Sequence, residues 1–216
     1  MIWKFVFISG HLAQLLFALG EPGSARLDLF GTSMGGAIAV AFGATFPDRV
    51  RSLTLIAPAG LGVHVPPSVR ALCTPWLGEA LMAAVGPRTV RGHVAACIAP
   101  NPTPADIAAH GALLALVEGQ LAEHPGFLRA LLSSLRHTIT RDMEPAFAAW
   151  GATRTPTLIV WGAQDKVVDF AGSARALRLV PAATLVAIEG VGHNIAAQPE
   201  YFEAVDVLFK SVPVDR

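Results

Sequence analysis

Charge is scarce in this chain. Only 15% of its 216 residues are Asp, Glu, Lys or Arg, against roughly 25% in ordinary globular domains. The 16 basic and 16 acidic residues cancel, so bulk electrostatics argues against nucleic acid as a partner. Cysteine is nearly absent: Cys73 and Cys97 form no framework pattern and read as reduced packing residues. No CxxC or HExxH spacing points to a metal, and Gly60-Leu61-Gly62 lacks the third glycine that a dinucleotide loop requires. No cofactor and no metal are therefore expected. No apolar run reaches the roughly 20 residues of a membrane span. Lys4 precedes an apolar run, but His11 and Gln14 interrupt it and no small-residue cleavage site follows, so the cytoplasm is the expected location.

What the chain does have is Gly31-Thr32-Ser33-Met34-Gly35, set between a β-like run from Arg26 to Phe30 and a small-residue helical run from Gly36 to Phe46. A serine on a sharp strand-to-helix turn projects its hydroxyl above the sheet edge, which makes Ser33 a candidate nucleophile. Strand and helix backbones pass closely there, so Gly31 and Gly35 are expected to fill positions with no room for a side chain. The Met34 amide, at the start of the helix, is placed to donate to an oxyanion.

A serine hydroxyl needs a base, and the base needs a carboxylate to fix its tautomer. Thr157-Leu158-Ile159-Val160-Trp161 reads as a buried parallel strand and runs directly into Gly162-Ala163-Gln164-Asp165. Asp165 is thus a candidate acid, with Asp169 four residues on as its competitor. A second β-like run, Thr184 to Ile188, leads to Glu189-Gly190-Val191-Gly192-His193, which puts a histidine on a glycine-flanked loop at the same sheet edge. His64, His93, His110, His124 and His137 fall in the middle segment and read as solvent-facing or capping residues.

Taken together, GTSMGG, FPDRVRSLTLIAPAG, TPTLIVWGAQDKVV and GVGHNIAAQPEYF resemble the catalytic half of the α/β-hydrolase superfamily over residues 11 to 210. The resemblance implies Ser33 as nucleophile, Asp165 as acid and His193 as base, in the chain order of that fold. Asp169 stands where similar proteins often have proline. The implied fold class is α/β: a mostly parallel sheet flanked by helices, with an inserted helical cap. The implied activity is hydrolysis of a carboxylic ester or related acyl substrate through an acyl-enzyme.

Residues 1–60 and 151–216 are assigned to the hydrolase core and 61–150 to the cap. The cap shows no good strand; helical segments are expected over Ser68 to Val85, Thr89 to Ile98, Pro104 to Glu123 with Thr103 as N-cap, and Gly126 to Thr140. Its apolar character suggests a lipophilic small-molecule substrate. Before the elbow there is room for only one helix, Leu12 to Leu19, behind the β-prone run Ile2 to Ile8. The strands and the second oxyanion loop of a complete member are therefore expected to be missing, with weak activity and self-association through an exposed sheet edge as consequences. The alternative reading is a catalytically impaired fragment or an interaction module.

Overall fold

The computed structural model describes residues 26–61, 67–98, 102–137, 142–195 and 198–211, and in it four apolar segments build one sheet. Strands β1 (Leu27–Thr32), β2 (Val50–Ile56), β3 (Thr157–Gly162) and β4 (Thr184–Ile188) lie in the order β1-β2-β3-β4. Each neighbouring pair is parallel. Parallel strands are covered on both faces, which is why β3 is apolar at nearly every position and buried along its whole length. The expected strands are all present, and the residues before 26, including the β-prone run and the helix expected over Leu12 to Leu19, lie outside the described residues.

Parallel neighbours need crossovers, and helices supply them. These are α1 (Met34–Thr45), α2 (Pro67–Cys73), α3 (Leu77–Ala96), α4 (Pro104–Glu123), α5 (Phe127–His137), α6 (Glu144–Thr153), α7 (Gly172–Leu179) and α8 (Pro199–Ser211). Helix α1 is built from Gly and Ala at its contact face, and this lets α6 approach closely. A Cβ on Gly43 would come within 2.7 Å of the Trp150 ring. The Trp150 indole N–H, buried there, donates to Thr157 Oγ1 at 3.0 Å, so α6 is tied to β3 as well as packed on α1.

Helix α6 begins within residues 61–150, the stretch assigned to the insertion on sequence grounds, and runs past its end. Met143, Ala146, Phe147 and Trp150 nonetheless belong to the main core, with Phe42, Leu53, Leu55 and Trp161. The physical reason is the fit of one large aromatic face to the small residues of α1. Helices α2, α3 and α5 instead share a separate small core of Leu72, Met82 and Leu132.

The helix expected over Ser68 to Val85 is broken in two. Pro75 cannot donate, Trp76 sits at φ 67, and Arg136 of α5 donates to the freed carbonyls of Cys73 and Thr74. Gly86-Pro87, by contrast, stays inside the single helix α3. Thr103 caps α4 as expected, in a capping box with Asp106. No helix among the described residues is long and apolar enough to cross a membrane.

At the start of the sheet, Asp28 of β1 receives Arg51 Nε at 3.1 Å and Ser52 Oγ at 2.6 Å on one oxygen and a second Arg51 nitrogen on the other. The Arg51 hydrogen bonds hold the Asp28 carboxyl below the usual carboxylate range, against the opposing effect of burial. A depressed folded-state pKa contributes stability that is present above the unfolded value and lost as pH falls through the folded one. Asp28→Asn is therefore expected to cost about 1–2 kcal/mol at pH 7, allowing for partial exposure of the pair. The gap to the parent should close on acidification below the normal carboxylate range. Urea unfolding of both proteins at several pH values checks this, and a gap independent of pH would contradict it.

Candidate active site

Strand β1 ends where Ser33 begins α1, and the turn between them is strained. Ser33 adopts φ 53 and ψ −119, a region that non-glycine residues rarely occupy. Four backbone hydrogen bonds fix it: its N–H donates to Ile56 O at 2.8 Å, and its carbonyl accepts from Gly36, Ala37 and Ala59. Strain of this kind persists only where surrounding structure over-determines it. The Ala57-to-Leu61 segment after β2 provides that support, pressing Pro58 onto Gly36. Met34 is the first residue of α1, so its amide has no acceptor within the helix.

The steric roles of the glycines differ from the expectation. A Cβ on Gly31 would lie 2.6 Å from both the Gly35 carbonyl oxygen and the Gly36 Cα. A Cβ on Gly35 would meet nothing within 4 Å among the described residues. The second crowded position is Gly36, where a Cβ would stand 2.8 Å from Pro58 Cβ. The helix turns through about 100° per residue, so residues 35 and 36 face differently, and it is 36 that meets the strand-side backbone.

At the ends of β3 and β4 the structure brings Asp165 and His193 together. His193 Nδ1 lies 2.6 Å from Asp165 Oδ2, with 6% of the His193 side chain and 0% of the Asp165 side chain exposed. A carboxylate can only accept, so Nδ1 is the donor, and in the neutral imidazole Nε2 keeps its lone pair. The other Asp165 oxygen accepts from the Val167 and Val168 amides at 2.8 and 2.9 Å, which locks the carboxylate plane. Asp169 is exposed and turned away: its carboxylate accepts from the Ala171 amide at 2.9 Å in a turn leading into α7. The two loops approach so tightly that a Cβ on Gly162 would fall 2.2 Å from Gly192 O. Between Ser33 and His193 there is no side-chain hydrogen bond among the described residues; such bonds are often loose before substrate is bound.

The charge of Asp165 reaches the C-terminal end of helix α3. The Cys97 thiol, buried just past the end of α3, donates to His93 O at 3.3 Å. Burial, then the charge of Asp165, pushes the Cys97 pKa up to about 11. His93 is exposed at the surface, and the protein packed around its ring lowers its pKa by desolvation, with His193 adding to the fall and Asp165 opposing it. His93 is exposed and Cys97 buried, as the sequence suggested for a solvent-facing histidine and a packing cysteine, and the charge of Asp165 acts on both. Among the described residues no group of three or more His, Cys, Asp or Glu could hold a metal ion.

The family model described as serine aminopeptidase, S33, matches residues 13–200. Monoacylglycerol lipase ABHD6 of Homo sapiens is 25% identical over 181 residues, covering 79% of this chain and 50% of that protein. The chain spans about half the length of the curated relatives it matches. Among solved structures, a thermophilic esterase from Thermogutta terrifontis aligns with a TM-score of 0.70 at 21% identity, over 95% of this chain and 72% of that one. MGS-M2, an α/β-hydrolase enzyme from a Medee basin deep-sea metagenome library, aligns with a TM-score of 0.68 at 20% identity, over 96% of this chain and 72% of that one.

The elbow geometry gives a direct test. Gly31→Ala must displace backbone and is expected to destabilise the fold by several kcal/mol or prevent folding, since overpacking alone costs roughly 1–3 kcal/mol. Gly35→Ala is expected to stay within about 1 kcal/mol of the parent. Thermal or urea unfolding of the two variants checks this; equal losses would contradict the assignment of the crowded position.

Proposed function

The chain belongs to the serine aminopeptidase S33 family and has the α/β-hydrolase fold, and on that premise we propose that it hydrolyses carboxylic esters through a Ser33-His193-Asp165 triad. The observation that carries the reading is the buried 2.6 Å contact between His193 Nδ1 and Asp165, because it leaves Nε2 free to act as a base. His193 Nε2 takes the Ser33 proton as Oγ attacks the substrate carbonyl, and Asp165 stabilises the imidazolium that results. The tetrahedral oxyanion is met by the Met34 amide at the positive end of α1. On collapse, the imidazolium gives its proton to the leaving alcohol. Water, deprotonated by the same histidine, then attacks the acyl-enzyme, and the imidazolium returns the proton to Ser33 Oγ as the acid leaves. None of these steps calls for a cofactor or metal.

The substrate proposed is a lipophilic ester. The printed names of the relatives speak of a monoacylglycerol lipase and an esterase, and helices α2 to α5 form the cap that would receive the acyl or alcohol chain.

Labelling with a fluorophosphonate probe, followed by peptide mapping, tests the nucleophile. The parent protein is expected to label at Ser33, and Ser33→Ala to lose both labelling and at least about 10³-fold in p-nitrophenyl ester turnover. Asp165→Asn is expected to lose about 10² to 10⁴-fold with the fold retained. A folded parent that neither labels nor turns over short or long p-nitrophenyl esters would defeat the reading and leave an interaction module.

A further inference from the structure

Asp106 is a charged residue with only 5% of its surface exposed, yet it lies in the first turn of cap helix α4, a position that is usually solvated. One carboxylate oxygen is used locally. Oδ2 accepts from the Thr103 N–H at 2.9 Å and from Thr103 Oγ1 at 2.7 Å, and Thr103 Oγ1 accepts from the Asp106 N–H in return. That reciprocal box satisfies the start of α4 by itself. The other oxygen, Oδ1, accepts from Nε2 of Gln198, a residue 92 positions away and itself buried.

Gln198 ends the loop that carries His193. Its N–H donates to Ile195 O at 3.0 Å, and its carbonyl accepts from Tyr201 at the start of α8. Ile195 is fully buried in the main core. The histidine loop is therefore held at its near end, where Gln164 N–H donates to Val191 O at 3.0 Å, in its middle by Asp165, and at its far end by Asp106 of the cap. Burial would raise the Asp106 pKa, but the Thr103 and Gln198 donors outweigh it and hold the group below the usual carboxylate range. The clasp is thus charged, and a charge-assisted bond of this kind is roughly twice as strong as a neutral one.

We propose that Asp106 and Gln198 are positioning residues that couple the seating of the cap to the orientation of His193. The proposal rests on the reading of His193 as the general base. Helix α4 cannot lift without either leaving a buried carboxylate short of a donor or pulling the far end of the histidine loop with it. Cap closure and assembly of the base are then one event.

An exchange of polarity separates this role from simple packing. Gln198→Glu keeps size and shape but sets two carboxylates face to face. It should lower the rate of fluorophosphonate labelling by on the order of 10- to 100-fold, as small misplacements of a catalytic group do. Amide hydrogen exchange should rise together in the peptides carrying Asp106 and His193. Adding Asp106→Asn to that variant restores the bond with its direction reversed: the Asn oxygen still accepts from Thr103, and its NH₂ donates to the new carboxylate. Labelling and exchange protection should both return toward the parent. The proposal is overturned if Gln198→Glu labels like the parent, if the double variant remains as slow as the single one, or if only one of the two peptides loosens. A parent that does not label at all defeats the hydrolase reading instead. The clasp would then stand on coupled exchange in the two peptides and fall on uncoupled exchange.

Discussion

A buried hydrogen bond between an imidazole and a carboxylate is the constraint on which the rest of this structure depends. Asp165 has no exposed side-chain surface, and a carboxylate taken out of water is costly unless each lone pair finds a donor. Its donors are the Val167 and Val168 amides and His193 Nδ1. That requirement dictates the geometry around it. The end of β3 must turn back on itself to present two amides, and the loop after β4 must come close enough that Gly162 has no space for a side chain. The parallel register of β3 and β4, from Leu158 opposite Thr184 to Gly162 opposite Ile188, brings both loops to one edge.

The serine side of the site is organised by backbone strain instead of charge. Ser33 and Ala57 both occupy positive φ without being glycine, each at the C-terminal end of a strand. The two strained turns support one another, since Ala59 donates to the Ser33 carbonyl and Ser33 donates to Ile56. The β1–β2 pairing therefore holds the Ser33 turn much as β3–β4 holds Asp165 and His193. Strain of about 1–3 kcal/mol per residue is tolerable here because the core beneath is dense with Phe42, Leu53, Leu55 and Trp161.

Most of this was legible in the sequence because the informative residues follow strand ends. Continuous apolar runs marked β3 and β4, and the segments just beyond them carried Asp165 and His193. The choice between Asp165 and Asp169 could not be made from spacing, since both follow the same strand; only the direction of each carboxylate distinguishes them. Gly36 was hidden for a similar reason. Spacing shows where glycines fall, whereas crowding depends on which face of α1 meets Pro58. Helix α6 was missed because its partner is α1, roughly a hundred residues earlier in the chain, and its short Ala-rich segment has no strong period of its own. Asp106 read correctly as part of a helix start, but its second hydrogen bond spans 92 residues and leaves no local trace.

The account stands on His193 being held by Asp165 with its proton on Nδ1. Proton NMR of the parent, Asp165→Ala and Asp169→Ala proteins in water measures this most directly, because an Nδ1 proton shared with a buried carboxylate resonates far downfield of the amides. The account predicts such a resonance in the parent, its loss in Asp165→Ala and its retention in Asp169→Ala. A resonance that survives Asp165→Ala, or one that disappears in Asp169→Ala alone, would contradict it.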